Sequence, residues 1–138
     1  MEEILKDHDE ARELMTKTEK SHAIPDVKEV YATLYGHHRA EERHVFPDVK
    51  MVDQEAKELV SELITEHHES ESGLKSMIDN KKFDLTKYME IKVKVYHHME
   101  EEETELFEKA RKGLTQAQLK QKLEPFEKTE EAEKEKAG

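Results

Sequence analysis

A chain of 138 residues with 34% apolar and 41% charged side chains has room for one lean core, and its richness in Glu, Lys, Leu and Ala suits amphipathic helices rather than sheet. Its net charge of −11 at pH 7 opposes phosphate backbones and anionic membrane surfaces, so no nucleic-acid or membrane partner is expected and cations are the natural counterpart. The lack of cysteine removes disulfides, thiolate metal sites and cysteine nucleophiles; an acidic N-terminus without signal-peptide features, and no apolar run near the ~20 residues of a membrane span, predict a soluble, cytoplasmic protein.

Periodicity and punctuation predict four long helices in chain order. The first runs from about Glu3 to Lys20, with Ile4, Leu5, His8, Ala11 and Met15 on one stripe. After Ile24-Pro25, Asp26 is the expected cap of a second helix that reaches about Phe46, where Pro47 ends or kinks it. Asp53 caps a third helix to about Ile78, and Asp84 a fourth to Lys112, with Gly113 closing it. A short fifth segment from Thr115 to about Leu123 is stopped by Pro125, and the charged tail that follows has too few apolar side chains to order itself. The expected architecture is all-α: an antiparallel up-down-up-down four-helix bundle over residues 1–113, a short C-terminal helix over 114–126 and a disordered tail over 127–138.

Nine histidines are present, six of them as adjacent pairs. A histidine is a candidate ligand only on the buried stripe of its helix. In the fourth helix Ile91, Val95, His98, Glu102 and Leu106 step by three or four residues and share a face, while His97 falls about 100° away. In the third helix His67 lies with Val60, Leu63, Ile64 and Leu74, whereas His68 keeps polar company. His8 faces inward in the first helix. In the second, periodicity alone leaves His37 with Glu41 and His38 with Glu42 equally placed.

One inward histidine in a bundle is ordinarily a hydrogen-bonded core residue. Four, joined by two inward glutamates, are different, because an uncompensated buried carboxylate costs several kcal/mol and a domain's net stability is only ~5–15 kcal/mol. A metal turns these stranded groups into ligands. Six nitrogen and oxygen donors exceed one tetrahedral zinc, and two carboxylates can bridge a pair of ions, which favours iron, with manganese as the nearest competitor.

The ordered set, His8 in KDHDEARELM, HHRAEERHVFP, His67 in ITEHHESESGL and HHMEEEETELF, resembles the hemerythrin-like family, the HHE cation-binding domain. The likeness covers about residues 1 to 113. It implies that the second-helix ligand is the histidine ten residues before the proline, His37, paired with Glu41. It further implies an oxo- or hydroxo-bridged pair of iron ions held by His8, His37, Glu41, His67, His98 and Glu102, with manganese or zinc less suited. Invertebrate hemerythrins carry a second histidine one turn further along the third helix. Here that position is Glu71, an additional candidate ligand, and a carboxylate there would favour the ferric state over reversible oxygen binding.

His38, His68 and His97 are expected beside the stripe, facing solvent or bracing the ligands, and His22 and His44 outside the ligand set. The glutamates at 100, 101 and 103 are expected on a solvated face. The function implied is a non-haem di-iron protein that binds dioxygen or a related small molecule as carrier, scavenger or sensor, a sensor needing a protein partner. The competing expectations are a di-iron enzyme that reduces peroxide or nitric oxide, iron storage or donation for repair, and a metal-free or zinc-loaded interaction bundle. No residue beyond the ligand set reads as a general acid or base, which favours binding over catalysis.

Overall fold

The computed structural model describes residues 2–113, 118 and 121–137, and every regular element among them is helical. Helix α1 (Glu2–Ser21) buries Ile4, His8, Ala11, Met15 and Thr18 at steps of three and four, a single continuous stripe. His22 follows with φ 55°, a left-handed conformation that closes the helix, and its ring stacks on Phe83. Helix α2 spans Ile24–His44 with Pro25 in its first turn. Asp26 is therefore not its cap: proline's fixed φ already suits the first helical position, and the Asp26 carboxylate accepts a hydrogen bond from Ser21 Oγ at 2.6 Å.

The short α3 (Phe46–Val49) carries Pro47 at its start. Helix α4 (Gln54–Asn80) is capped by Asp53, which accepts from the Ala56 N–H at 2.7 Å, and Lys81 at φ 52° closes it. Helix α5 (Leu85–Glu101) is capped by Asp84, accepting from the Lys87 N–H at 3.1 Å. The predicted unbroken run to Lys112 is interrupted. Glu102–Leu106 forms a π-helical turn before α6 (Phe107–Gly113). The wider turn accommodates one extra residue, so Glu102, Leu106 and Phe107 are all buried together.

The C-terminal expectation is corrected. Pro125 does not stop a helix and residues 127–137 are not disordered, because helix α7 runs Leu123–Ala137. Pro125 is the third residue of that helix, where a missing N–H breaks no intrahelical bond. The helix lies along α2, and its seam uses polar groups that composition undervalues: Thr129 meets His44 at 2.7 Å, Glu133 meets Arg43 at 2.7 Å, and Phe126 is the one large apolar anchor. Most of the predicted Thr115–Leu123 segment lies outside the described residues.

The core is divided. One apolar cluster gathers Ile4, Val45, Phe46, Leu63, Leu106, Phe107 and Phe126, and the other gathers Ala11, Met15, Leu34, Leu74, Tyr88, Val95 and Met99, among other residues. Helices α1, α2, α4, and α5 with its π-helical continuation, pass from one cluster to the other, and each crossing buries histidine or glutamate among its residues: His8 between Ile4 and Ala11, His37 and Glu41 between Leu34 and Val45, His67 between Leu63 and Leu74, His98 and Glu102 between Val95 and Leu106. No described helix is long and apolar enough to cross a membrane.

Candidate metal centre

The layer between the clusters collects His8, His37, Glu41, His67, His98 and Glu102, each 4% exposed or less. Their donor atoms fall into two groups of four, within 4.8 Å of one another in each: His8, His37, Glu41 and Glu102, and Glu41, His67, His98 and Glu102. Both groups use the same two glutamates. Glu41 Oε1 lies 3.2 Å from His37 Nε2 and 3.5 Å from His67 Nε2, and Glu102 Oε1 lies 3.4 Å from His8 Nε2 and 3.0 Å from His98 Nε2. Each carboxylate thus faces one histidine of each group.

None of the four Nε2 atoms, and neither oxygen of Glu41 or Glu102, has a hydrogen-bond partner in the protein. Buried polar atoms are nearly always satisfied, and leaving one unpaired costs ~1–3 kcal/mol, more for a charge. Eight such atoms converging on one layer are the arrangement a cation would satisfy.

Three of the opposite ring nitrogens are hydrogen-bonded from outside, and that of His98 is not. His8 Nδ1 is 3.1 Å from Glu103, which accepts from Arg12 at 2.6 Å. His67 Nδ1 is 2.8 Å from Glu42, which accepts from Arg39 at 3.1 Å. His37 Nδ1 lies 3.0 Å from Asp7 and 3.1 Å from Glu130, and His98 Nδ1 lies 3.7 Å from Glu66. An imidazole whose Nδ1–H donates to a carboxylate presents the Nε2 lone pair inward, which orients the ring and strengthens it as a ligand.

Burial pushes His67 and His38 well below the usual histidine range and His98 below it, which favours the neutral, ligating form. His37 departs from this. Burial opposes its protonation, but the hydrogen bonds to Asp7 and Glu130 outweigh that and lift it to about 10. Burial pushes Glu130 up to about 7 beside them.

The six residues named from sequence are thus brought together, and His37 rather than His38 takes the place beside Glu41. Glu71 stands apart from both groups. It is 2.6 Å from His38 Nδ1 and accepts from Arg39 at 2.8 Å, and burial pushes it up to about 7. His38 does not face solvent. It is buried, stacks on His67 with ring centroids 3.7 Å apart, and forms a further cluster with His67 and His98. His68 and His97 are exposed, the latter 3.0 Å from Glu101.

Sequence reasoning missed the bracing carboxylates Asp7, Glu42, Glu103 and Glu130, and placed Glu103 on a solvated face. The signal for two of them was present. Glu41-Glu42 and Glu102-Glu103 are doublets in which the first glutamate turns to the layer and the second reaches the Nδ1 of a histidine on another helix.

The family model for the hemerythrin HHE cation binding domain matches residues 1–110. Comparison with curated proteins and with solved structures gave no match. The donor set fits a cation of the kind that domain is described as binding: all nitrogen and oxygen, buried, inward-facing and unpaired.

Proposed function

The chain belongs to the hemerythrin HHE cation-binding family, and we propose that it is a non-haem di-iron protein that binds dioxygen or a related small molecule. The observation that carries this is the pair of four-residue groups sharing Glu41 and Glu102. In this proposal one ion would be held by His8 and His37 and the other by His67 and His98, with Glu41 and Glu102 available to both. Six nitrogen and oxygen donors with shared carboxylates favour iron over zinc. When bound, a ferrous pair would supply electrons to a small oxidant such as dioxygen.

The chain's own part is to orient and to exclude water. The braced Nδ1 atoms of His8, His37 and His67 hold three of the four imidazoles inward, and the apolar clusters above and below the layer keep bulk water from it. The order in which the helices meet those clusters supports an antiparallel four-helix bundle: α1 and α4 pass from the Ile4 cluster to the Met15 cluster, and α2 and α5 pass back. Carrier, scavenger and sensor roles all follow from such a site, and a sensor of this size requires a partner protein.

The test is metal content per chain on protein purified without chelators or nickel resin, with a near-ultraviolet spectrum of the same sample in air. Close to two irons per chain with ligand-to-iron charge-transfer bands is the expected result. Zinc alone or no metal, persisting after anaerobic reconstitution with ferrous iron, would overturn the proposal and leave the fold.

A further inference from the structure

Helix α7 lies beyond the 110 residues that the family model matches, yet it reaches the metal layer. Glu130 Oε2 is 3.1 Å from His37 Nδ1, and the Phe126 ring meets the His37 ring edge-on with centroids 5.7 Å apart. The two helices approach closely at Gly36. A Cβ there would collide with the Glu130 backbone oxygen and lie 3.0 Å from Lys134 Cβ. Glycine weakens a helix interior relative to alanine, so α2 carries at its middle, beside a ligand histidine, a residue that helix formation alone disfavours. What Gly36 permits is the approach of α7.

We propose that α7 is a working part of the metal centre: Glu130 is a positioning residue for His37, delivered to Nδ1 by a helix that docks in the notch left by Gly36. The proposal rests on the metal-centre assignment above. Asp7 reaches the same nitrogen from α1 at 3.0 Å, so His37 is held from two sides, once by the matched domain and once by the segment outside it. The His8–His37 ion is therefore the one that depends on α7. His67 takes its brace, Glu42, from α2, and His98 Nδ1 faces Glu66 of α4 at 3.7 Å without a hydrogen bond.

The experiment uses the full chain loaded anaerobically with ferrous iron, and measures iron release to a ferrous chelator, the charge-transfer spectrum after air oxidation, and trypsin cleavage after Lys128 and Lys134. In Glu130→Ala, α7 stays as trypsin-resistant as in wild type, while one of the two irons is released about tenfold faster, the low end for losing an outer brace, and the spectrum shifts. Glu130→Asp recovers part of the difference. Gly36→Leu gives the same fast-releasing iron together with a trypsin-sensitive α7, and should this variant fail to fold, Glu130→Ala decides alone. Release and spectrum unchanged in Glu130→Ala would overturn the proposal, as would equal acceleration of both irons, which marks general loosening. A wild-type chain that takes up no iron overturns the metal-centre assignment itself, a different failure.

Discussion

Glu41 and Glu102 are fully buried, and neither carboxylate has a hydrogen-bond donor on any of its oxygens. In a metal-free chain such groups are a liability, since replacing a buried unpaired charge by an apolar group is often neutral or stabilising. In the proposed metal-loaded chain they would be the ligands shared by both groups. Glu102→Ala should therefore leave metal-free stability unchanged or higher, while in both Glu41→Ala and Glu102→Ala iron content falls from two per chain to below one and the iron-dependent rise in melting temperature disappears. Single variants that keep both the iron and the melting temperature would sink the assignment. Tyr88 makes the contrasting case of a buried polar group that is satisfied, its O–H donating to the Met15 carbonyl at 2.7 Å. Burial raises its pKa above the usual tyrosine value near 10. A raised acid contributes stability that is present below that value and lost as pH rises past it, because only the unfolded chain ionises freely. Tyr88→Phe should cost about 1 kcal/mol at neutral pH for the lost hydrogen bond. Above pH 10 the metal-free stability curves of the two proteins should converge; curves that stay parallel in urea titrations would refute the burial argument.

At the scale of elements, the π turn at Glu102–Leu106 is where the predicted helix and the observed one part company. Deleting a residue from an α-helix rotates everything beyond it by ~100° and scrambles its buried face. Deleting Thr104 from a turn that already holds one residue too many should instead let it relax to α-helix, leaving Leu106, Phe107 and Ala110 on the core side. The deletion variant should fold with near wild-type helicity by circular dichroism. It should bind iron poorly, because Glu102 and the Glu103 brace on His8 are re-aimed. A chain that fails to fold, or one that keeps two irons, would show that the turn is not an accommodated insertion. The positions of the ligand-bearing helices were legible in the sequence because apolar residues at three- and four-residue steps, with Asp53 and Asp84 as caps, follow directly from helix geometry. The π turn was not, since steps of four between His98, Glu102 and Leu106 suit both helix types. Helix α7 was missed for a different reason: its seam against α2 is made of Thr129, Glu130 and Glu133, which count as solvated residues until their partners His44, His37 and Arg43 are placed opposite them.

Across the whole molecule, a net charge of −11 and a core divided by a layer of polar groups predict that a cation in the middle adds stability. Each apolar cluster holds the helices on one side of the layer, and across the layer the helices are joined by polar contacts such as His8–Glu103, His37–Asp7 and His67–Glu42, while eight inward donor atoms have no partner. The sequence showed which residues line the layer but not that the apolar core divides on either side of it, because that depends on which apolar side chains meet across helices. Metal binding to the folded chain alone adds stability by mass action, about 2.7 kcal/mol per site when free metal exceeds the dissociation constant a hundredfold. Anaerobic urea unfolding should therefore show a midpoint that climbs with free ferrous iron and falls to the metal-free value when a chelator is added. The slope of the unfolding line should stay constant, because the surface exposed on unfolding does not change. A midpoint indifferent to iron would mean that the two apolar clusters suffice and that the polar layer is tolerated rather than filled. A midpoint that climbs in wild type but stays flat in Glu102→Ala would locate the stabilising contact in the shared carboxylate, since that variant keeps both clusters and removes only the bridge between the two groups.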